Sequence, residues 1–212
     1  MSKIKHFLEQ SWLLIISAFC FGLLIAVTNA AWSPRIQQNE KGKLNNLMTG
    51  LITEAKNFQI TIEDVEVLGK KGKITKTDIY QALDDSGSSA GFAFVATGAG
   101  FADKIKLVIA VDGKCEKFFG FKVLSSYETP GFGSKIADDD PESDEDFADQ
   151  FKGAPAQEVE LTKTGNPEEI DSRIVAISGA TVSSEAVVKI FNIYIAQIKE
   201  RLQTEGLINN GR

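Results

Sequence analysis

Residues 105–124 read IKLVIAVDGKCEKFFGFKVL. Ile105 to Val111 is a short apolar run of strand length, rich in branched aliphatic residues. Asp112-Gly113 follows it as a hairpin signal, and Phe118 to Leu124 supplies the next strand. Upstream, Gly98 to Gly100 marks a break, Gly91 to Thr97 (GFAFVAT) reads as a strand, Asp84 to Ser89 carries turn residues, and Ile79 to Leu83 (IYQAL) reads as another strand. Together these predict an antiparallel meander. Downstream, Asp138 to Asp146 holds seven acids in nine residues. It lacks the spacing and loop glycine of an EF-hand, so it reads as a solvated acidic loop. Phe147 to Phe151 reads as a short helix and Val159 to Thr162 as a further strand. Val187, Phe191, Tyr194, Ile195, Ile198 and Leu202 then fall on one face at helical period, with Ser183 and Ser184 as candidate N-caps and Gly206 closing the element. The fold class expected is α+β, an antiparallel sheet packed with helices. No internal repeat is visible.

At the other end, Trp12 to Ala31 reads WLLIISAFCFGLLIAVTNAA, about 20 residues without a charge. Trp12 and Trp32 bracket it as interface aromatics do. Thr28-Asn29-Ala30 offers the small-x-small pattern of a cleaved signal peptide, but the apolar run is longer than a usual signal core. A retained transmembrane helix over 12–32 is therefore expected, with residues 1–11 cytoplasmic and the body outside the cytoplasm. Leu44, Leu47, Met48, Leu51 and Ile52 continue at helical spacing, so 33–74 reads as a connecting helix and linker. The soluble domain is placed at 75–205 and a polar tail at 206–212.

The chain has 212 residues and a formal net charge of -6, from 29 acids against 23 bases. No basic stripe is present, which argues against a nucleic-acid partner. One histidine, ahead of the apolar run, and two cysteines in different phases give no pattern for zinc, a Cys-ligated cluster or an internal disulfide.

Two segments carry chemistry. Ser178-Gly179-Ala180-Thr181-Val182-Ser183-Ser184 follows an apolar run, Ile174 to Ile177, and opens the C-terminal helix. Small residues permit close backbone approach, and a helix start presents unpaired N–H groups that suit a phosphate. Glu128-Thr129-Pro130-Gly131-Phe132-Gly133 follows the strongest strand pair, with Pro130-Gly131 forcing a tight turn and Phe132 able to cover a ring face. Spacing alone does not separate these from a Ser/Thr-rich helix start and an ordinary turn.

Taken together, the two segments resemble the FMN-binding domain shared by the G subunit of the Rnf electron-transport complex and the C subunit of the sodium-translocating NADH:quinone reductase. Gly91-Phe92-Ala93-Phe94, Asp112-Gly113, ETPGFG at 128–133, Asp146-Phe147 to Gly153 and SGATVSS at 178–184 fall in that family's order. The resemblance implies FMN joined by a phosphoester to Thr181, made by a separate flavin transferase with FAD as donor. It places Glu128, Thr129, Gly131 and Gly133 against the isoalloxazine. Ser178, Gly179, Ala180, Val182, Ser183 and Ser184 surround the phosphate end. Lys135 reads as a surface lysine or as a positive charge near the reduced ring. The sequence departs from the family pattern at Val175, where many members carry Asp, and at Ser126, where many carry His.

The function implied is electron relay through FMN in an Rnf-type ion-translocating membrane complex, single-pass in the bacterial cell membrane. Its partners would be the other membrane and redox subunits. No residue is assigned as catalytic and none as a metal ligand. Other readings are the C subunit of the reductase-type complex, a flavin-free docking subunit, and a free-standing flavin reductase.

Overall fold

The computed structural model describes residues 2–69, 72–137 and 147–208, of which 2–10 by their backbone alone. The acidic run Asp138 to Asp146 and residues 209–212 of the tail lie outside the described residues. Contacts divide the chain into two compact units, Met1–Lys43 and Leu44–Arg212.

The first unit is helical. It belongs to α1 (Ser2–Leu51), which includes Pro34. Trp12, Leu14, Phe19, Leu24 and Trp32 are all exposed. This stretch is long and apolar enough to cross a membrane, and none of its most apolar window is buried.

In the second unit, β1 (Asn57–Leu68), β2 (Ile74–Leu83), β3 (Ser89–Ala99), β4 (Lys104–Asp112) and β5 (Phe118–Ser125) form an antiparallel sheet in the order β1-β2-β3-β4-β5. Each neighbour in the sheet is the neighbour in sequence, so the meander expected from the hairpin signals is present. Its turns are closed by carboxylates. Asp84 accepts the N–H groups of Ser86 (2.8 Å) and Ser88 (2.9 Å) and the Ser86 hydroxyl (2.7 Å). These bonds, the Ser86 hydroxyl first, hold the Asp84 carboxyl below its ordinary pKa. Asp112 does the same for Glu116 and Lys117, at 2.7 and 3.2 Å.

Both faces of the sheet are covered, which explains why β4 is apolar almost throughout. Side chains alternate between faces along a strand. Phe92, Phe94, Leu107 and Ile109 lie in the larger core with Phe191, Tyr194 and Ile198 of α2 (Thr181–Thr204). Ala93, Val108 and Ala110 lie in a second core with Met48, Leu51 and Ile52. Small side chains on that face let the end of α1 settle close to the sheet. Phe118, Phe121, Phe147, Phe151 and Phe191 form a chain of ring contacts, with centroids 4.4–6.3 Å apart.

After β5 come two short 3-10 turns, Gly133–Ala137 and Asp149–Phe151, then a parallel pair, β6 (Glu160–Thr162) and β7 (Arg173–Val175). Within Phe147 to Phe151, expected as a short helix, the helical part is the 3-10 turn Asp149–Phe151.

Two expectations are corrected. Residues 33–74, expected as a connecting helix and linker, begin with helix as expected, the end of α1, but the remainder is no linker: it holds all of β1, with Ile62, Val65 and Val67 in the main core. The strand was hidden because β1 is an edge strand with charges at Glu63, Asp64 and Glu66. A positive φ of 52° at Asp64 and register shifts between Ile60 and Val65 also break its two-residue period. Ser183 and Ser184 are not caps. The helix starts at Thr181 with Ala180 at the N-cap, so both serines lie inside its first turn.

Candidate functional site

The turn after β5 is built by Pro130 and Gly131. Phe132 N–H donates to the Thr129 carbonyl at 3.2 Å, closing a β-turn whose third residue, Gly131, has φ 75°. Pro at the second position and Gly at the third is the pairing such a turn requires. Gly131 N–H then donates to Ser134 Oγ at 3.0 Å. The result swings Phe132 outward, 59% exposed, and Gly133 inward, buried. A side chain at Gly133 has no room: a Cβ there would lie 2.5 Å from Ser183 Oγ and 2.8 Å from Glu128 Oε2.

The second segment leaves β7 and turns through Gly179, φ 80°, into α2. Ser184 is buried and holds this corner from within, accepting the Ile177 N–H and donating to the Ala180 carbonyl, both at 3.1 Å. Ala180 has no side chain able to cap the helix. The first-turn N–H groups have no intrahelical partner by construction. Among the described residues those of Thr181, Val182 and Ser183 have none from elsewhere either. An uncapped, positively polarised helix start at a surface cavity is a site for an anion.

Glu128 joins the two segments. One carboxylate oxygen accepts the N–H groups of Phe101 (2.9 Å) and Ala102 (3.1 Å) in the β3–β4 turn, and the other accepts the Ser183 hydroxyl. Glu128 N–H donates to Ser126 Oγ at 3.3 Å, so the serine at that departure from the family pattern supports the turn. Glu128 thereby braces the two walls against one another.

These parts enclose an open cavity of about 450 Å³. One wall is Glu128, Thr129, Phe132 and Gly133; the other is the run from Gly179 to Ser183; Phe101 closes the third side. Thus Glu128, Thr129, Gly133, Gly179, Ala180, Thr181, Val182 and Ser183, drawn from two segments some 50 residues apart in sequence, line one cavity. Ser178, Gly131 and Ser184 do not line it. Gly131 shapes the turn and Ser184 braces the helix start from behind, while Ser178 is exposed. Lys135 is exposed and not in the wall. Val175 is also outside it. Its backbone is gripped by the Gln150 amide (2.7 and 3.1 Å), and its side chain faces Gly165. Sequence reading missed Phe101, a 67% exposed aromatic at the cavity. The only signal was an aromatic set in a Gly-rich turn.

Residues 100–196 match the FMN-binding domain family, a span that begins at the β3–β4 turn and ends in α2. The chain carries an FMN-binding domain. The cavity suits that cofactor: its volume lies within the roughly 300–1,000 Å³ of small-molecule sites. It also offers two exposed aromatic faces and one anion-seeking helix start. Over its length the chain is 28% identical to the G subunit of the ion-translocating oxidoreductase complex of Methanosarcina acetivorans, covering 89% of this chain and 92% of that one. It is 27% identical to the G subunit of the Na(+)-translocating ferredoxin:NAD(+) oxidoreductase complex of Acetobacterium woodii, covering 86% of each. In fold, the FMN-binding domain protein is similar to NqrC of Shewanella oneidensis (TM-score 0.54, 21% identity, 72% of this chain and 73% of that one). It is also similar to the C subunit of the Na(+)-translocating NADH-quinone reductase of Parabacteroides distasonis (TM-score 0.52, 19% identity, 84% and 98%).

Proposed function

We propose that this protein is the membrane-anchored, FMN-carrying G subunit of an Rnf-type ion-translocating oxidoreductase complex, and that its FMN is held by a phosphoester to Thr181. The observation that carries the reading is the single cavity formed by the ETPGFG and SGATVSS segments, with the Thr181 side chain at the uncapped helix start. The full-length likeness to proteins named as G subunits of such complexes supports the choice of complex.

Bound FMN accepts and passes on electrons. The chain's own residues bind and orient it. The N–H groups of Thr181, Val182 and Ser183 offset the phosphate charge, and the Thr181 hydroxyl is the point of attachment. Phe101 and Phe132 offer the exposed aromatic faces that would hold the ring, and Gly133, without a side chain, would leave room for it. Glu128 and Ser183 fix the two walls to one another. No residue of the site is assigned a proton-transfer or nucleophilic role. In this reading residues 12–32 cross the membrane, the Leu44–Arg212 unit lies on the extracytoplasmic side, a flavin transferase matures it, and other redox subunits of the complex exchange electrons with it.

The test is flavin fluorescence in a denaturing gel, with peptide mass mapping, after co-expression with a flavin transferase. Wild type gives a fluorescent band with FMN on the Thr181 peptide, and Thr181→Ala gives none. A dark wild-type band with flavin released on denaturation would overturn the covalent bond and leave binding intact. A colourless wild-type protein would overturn the relay reading in favour of a flavin-free docking subunit.

A further inference from the structure

The sheet does not stay closed along its length. β2 begins at Ile74 and β3 runs to Ala99, yet the two pair only from Ile79↔Phe94 to Leu83↔Ser89. From Ile74 to Thr77, β2 pairs with β1 alone, and from Val95 to Ala99, β3 pairs with β4 alone. The strands part where β1 is irregular. Asp64 has φ 52°, and its N–H donates to Asp78 Oδ1 at 3.0 Å. Bulges bend the strand that carries them. The β1–β2 hairpin leans instead onto α2, where Gln197 accepts the Leu68 N–H (2.8 Å) and donates to the Leu68 carbonyl (3.2 Å).

The parted strands leave a cavity of about 540 Å³, larger than the one beside Thr181 and sharing no residue with it. Its floor is apolar, from Ala186, Ile190 and Ile193 of α2. Among the described residues, side chains stand in for the missing strand at two points. Thr77 Oγ1 donates to the Val95 carbonyl (2.8 Å), and the Tyr194 hydroxyl accepts the Thr97 N–H (3.1 Å) and donates to its carbonyl (3.4 Å). By the alternation of a strand, Ala99 turns its peptide groups to the same side. The rim is cationic, with Lys73, Lys76, Lys104 and Lys189 and no carboxylate among the lining residues. Lys76 pairs with Asp64 and Lys189 with Glu185. Lys73 and Lys104 pair with no carboxylate among the described residues. Four lysines on one cavity run against a chain whose net charge is -6.

We propose that this cleft receives an extended, acidic segment of a partner polypeptide, added as a strand along Thr97–Ala99 of β3. Strand addition uses main-chain hydrogen bonds for affinity and alternate side chains for specificity. On this edge Ala99 has no side-chain partner among the described residues; a peptide at strand spacing would take its N–H and carbonyl and replace the Tyr194 hydroxyl on Thr97, which a hydrocarbon chain has no donors or acceptors to do. The apolar floor takes every second side chain of the segment, and the lysine rim takes acids on the intervening ones.

The test uses the purified full chain and a blocked, fluorescent hexapeptide of alternating Glu and Val. Binding is followed by polarisation, and amide exchange is followed at residues 97–99. Saturable binding with protection of 97–99 is expected, at least tenfold weaker for the Lys/Val peptide. N-methylation on alternate peptide nitrogens should abolish it. The double variant Lys73→Glu, Lys104→Glu changes exposed side chains and should reverse the preference toward the Lys/Val peptide. Three results would each overturn the proposal: no protection of 97–99 at millimolar peptide, binding indifferent to N-methylation or to charge reversal, or protection by phosphatidylglycerol vesicles but not by peptide.

Discussion

At the scale of single residues, the site depends on contacts that hold its walls together. Glu128 bonds three donors from two other segments, and hydrogen bonds to charged groups contribute about 1.5–3 kcal/mol each. Glu128→Ala should lower the thermal midpoint and release non-covalently loaded FMN, read by fluorescence recovery on dialysis. Glu128→Gln keeps an oxygen for the Phe101 and Ala102 N–H groups and should lose less. Gly133→Ala places a Cβ against Ser183 and Glu128, and overpacking of this kind costs about 1–3 kcal/mol. It should weaken FMN binding while Gly131→Ala acts through the turn alone. Cys115 gives a pH test. Burial, chiefly, raises its thiol from 9.0 to about 11. A thiol raised on folding stabilises the fold below its unfolded pKa, and that contribution is lost as pH rises through the folded value. Wild type should therefore lose thermal stability relative to Cys115→Ala between pH 9 and about 11, and its thiol should resist alkylation until the chain is unfolded. At this scale the sequence was readable where a motif names its geometry, as Pro130-Gly131 does. It was silent on Phe101 and on the Glu128 bonds, which join residues that only tertiary structure brings together.

At the scale of elements, the central strands were legible because both faces of the sheet are covered. Burial on both sides makes β4 a continuous apolar run and leaves no period to misread. β1 was lost for the opposite reason, being half exposed and bulged. The start of α2 was misplaced by three or four residues because serines favour caps, whereas here Ser183 and Ser184 bond inward to Glu128 and Ala180. The absence of a capping side chain is what leaves the helix start open to a phosphate. Ala180→Asp would fill that position with a competing carboxylate and should weaken FMN binding severalfold, measured by titration with the chain otherwise folded. Val175 lies outside the cavity wall, so Val175→Asp should leave FMN affinity within about twofold, a change of roughly 0.4 kcal/mol. Any effect of that substitution on flavin attachment in the presence of the transferase would report recognition by the transferase, not fit.

At the scale of the whole molecule, the boundaries matter. A chain starting at Leu44 retains Leu47, Met48 and Ile52 over the alanine face of the sheet and should fold without detergent. One starting at residue 75, where sequence reading placed the domain, loses Ile62, Val65 and Val67 from the core. Burying each such side chain contributes about 1.5–3 kcal/mol, against a total stability of about 5–15 kcal/mol, so this shorter chain should be recovered as aggregate by size-exclusion chromatography. The brace at Glu128 has a consequence for biogenesis. Three stretches of chain meet there, from the β3–β4 turn, the turn after β5 and the first turn of the last helix. The surroundings of Thr181 therefore exist only once all three have come together, and not on a misassembled chain. Under the proposed attachment to Thr181, flavin addition becomes a checkpoint on maturation: only a folded body offers the hydroxyl in its proper setting, and colour in the membrane would certify that the chain was inspected after it had folded.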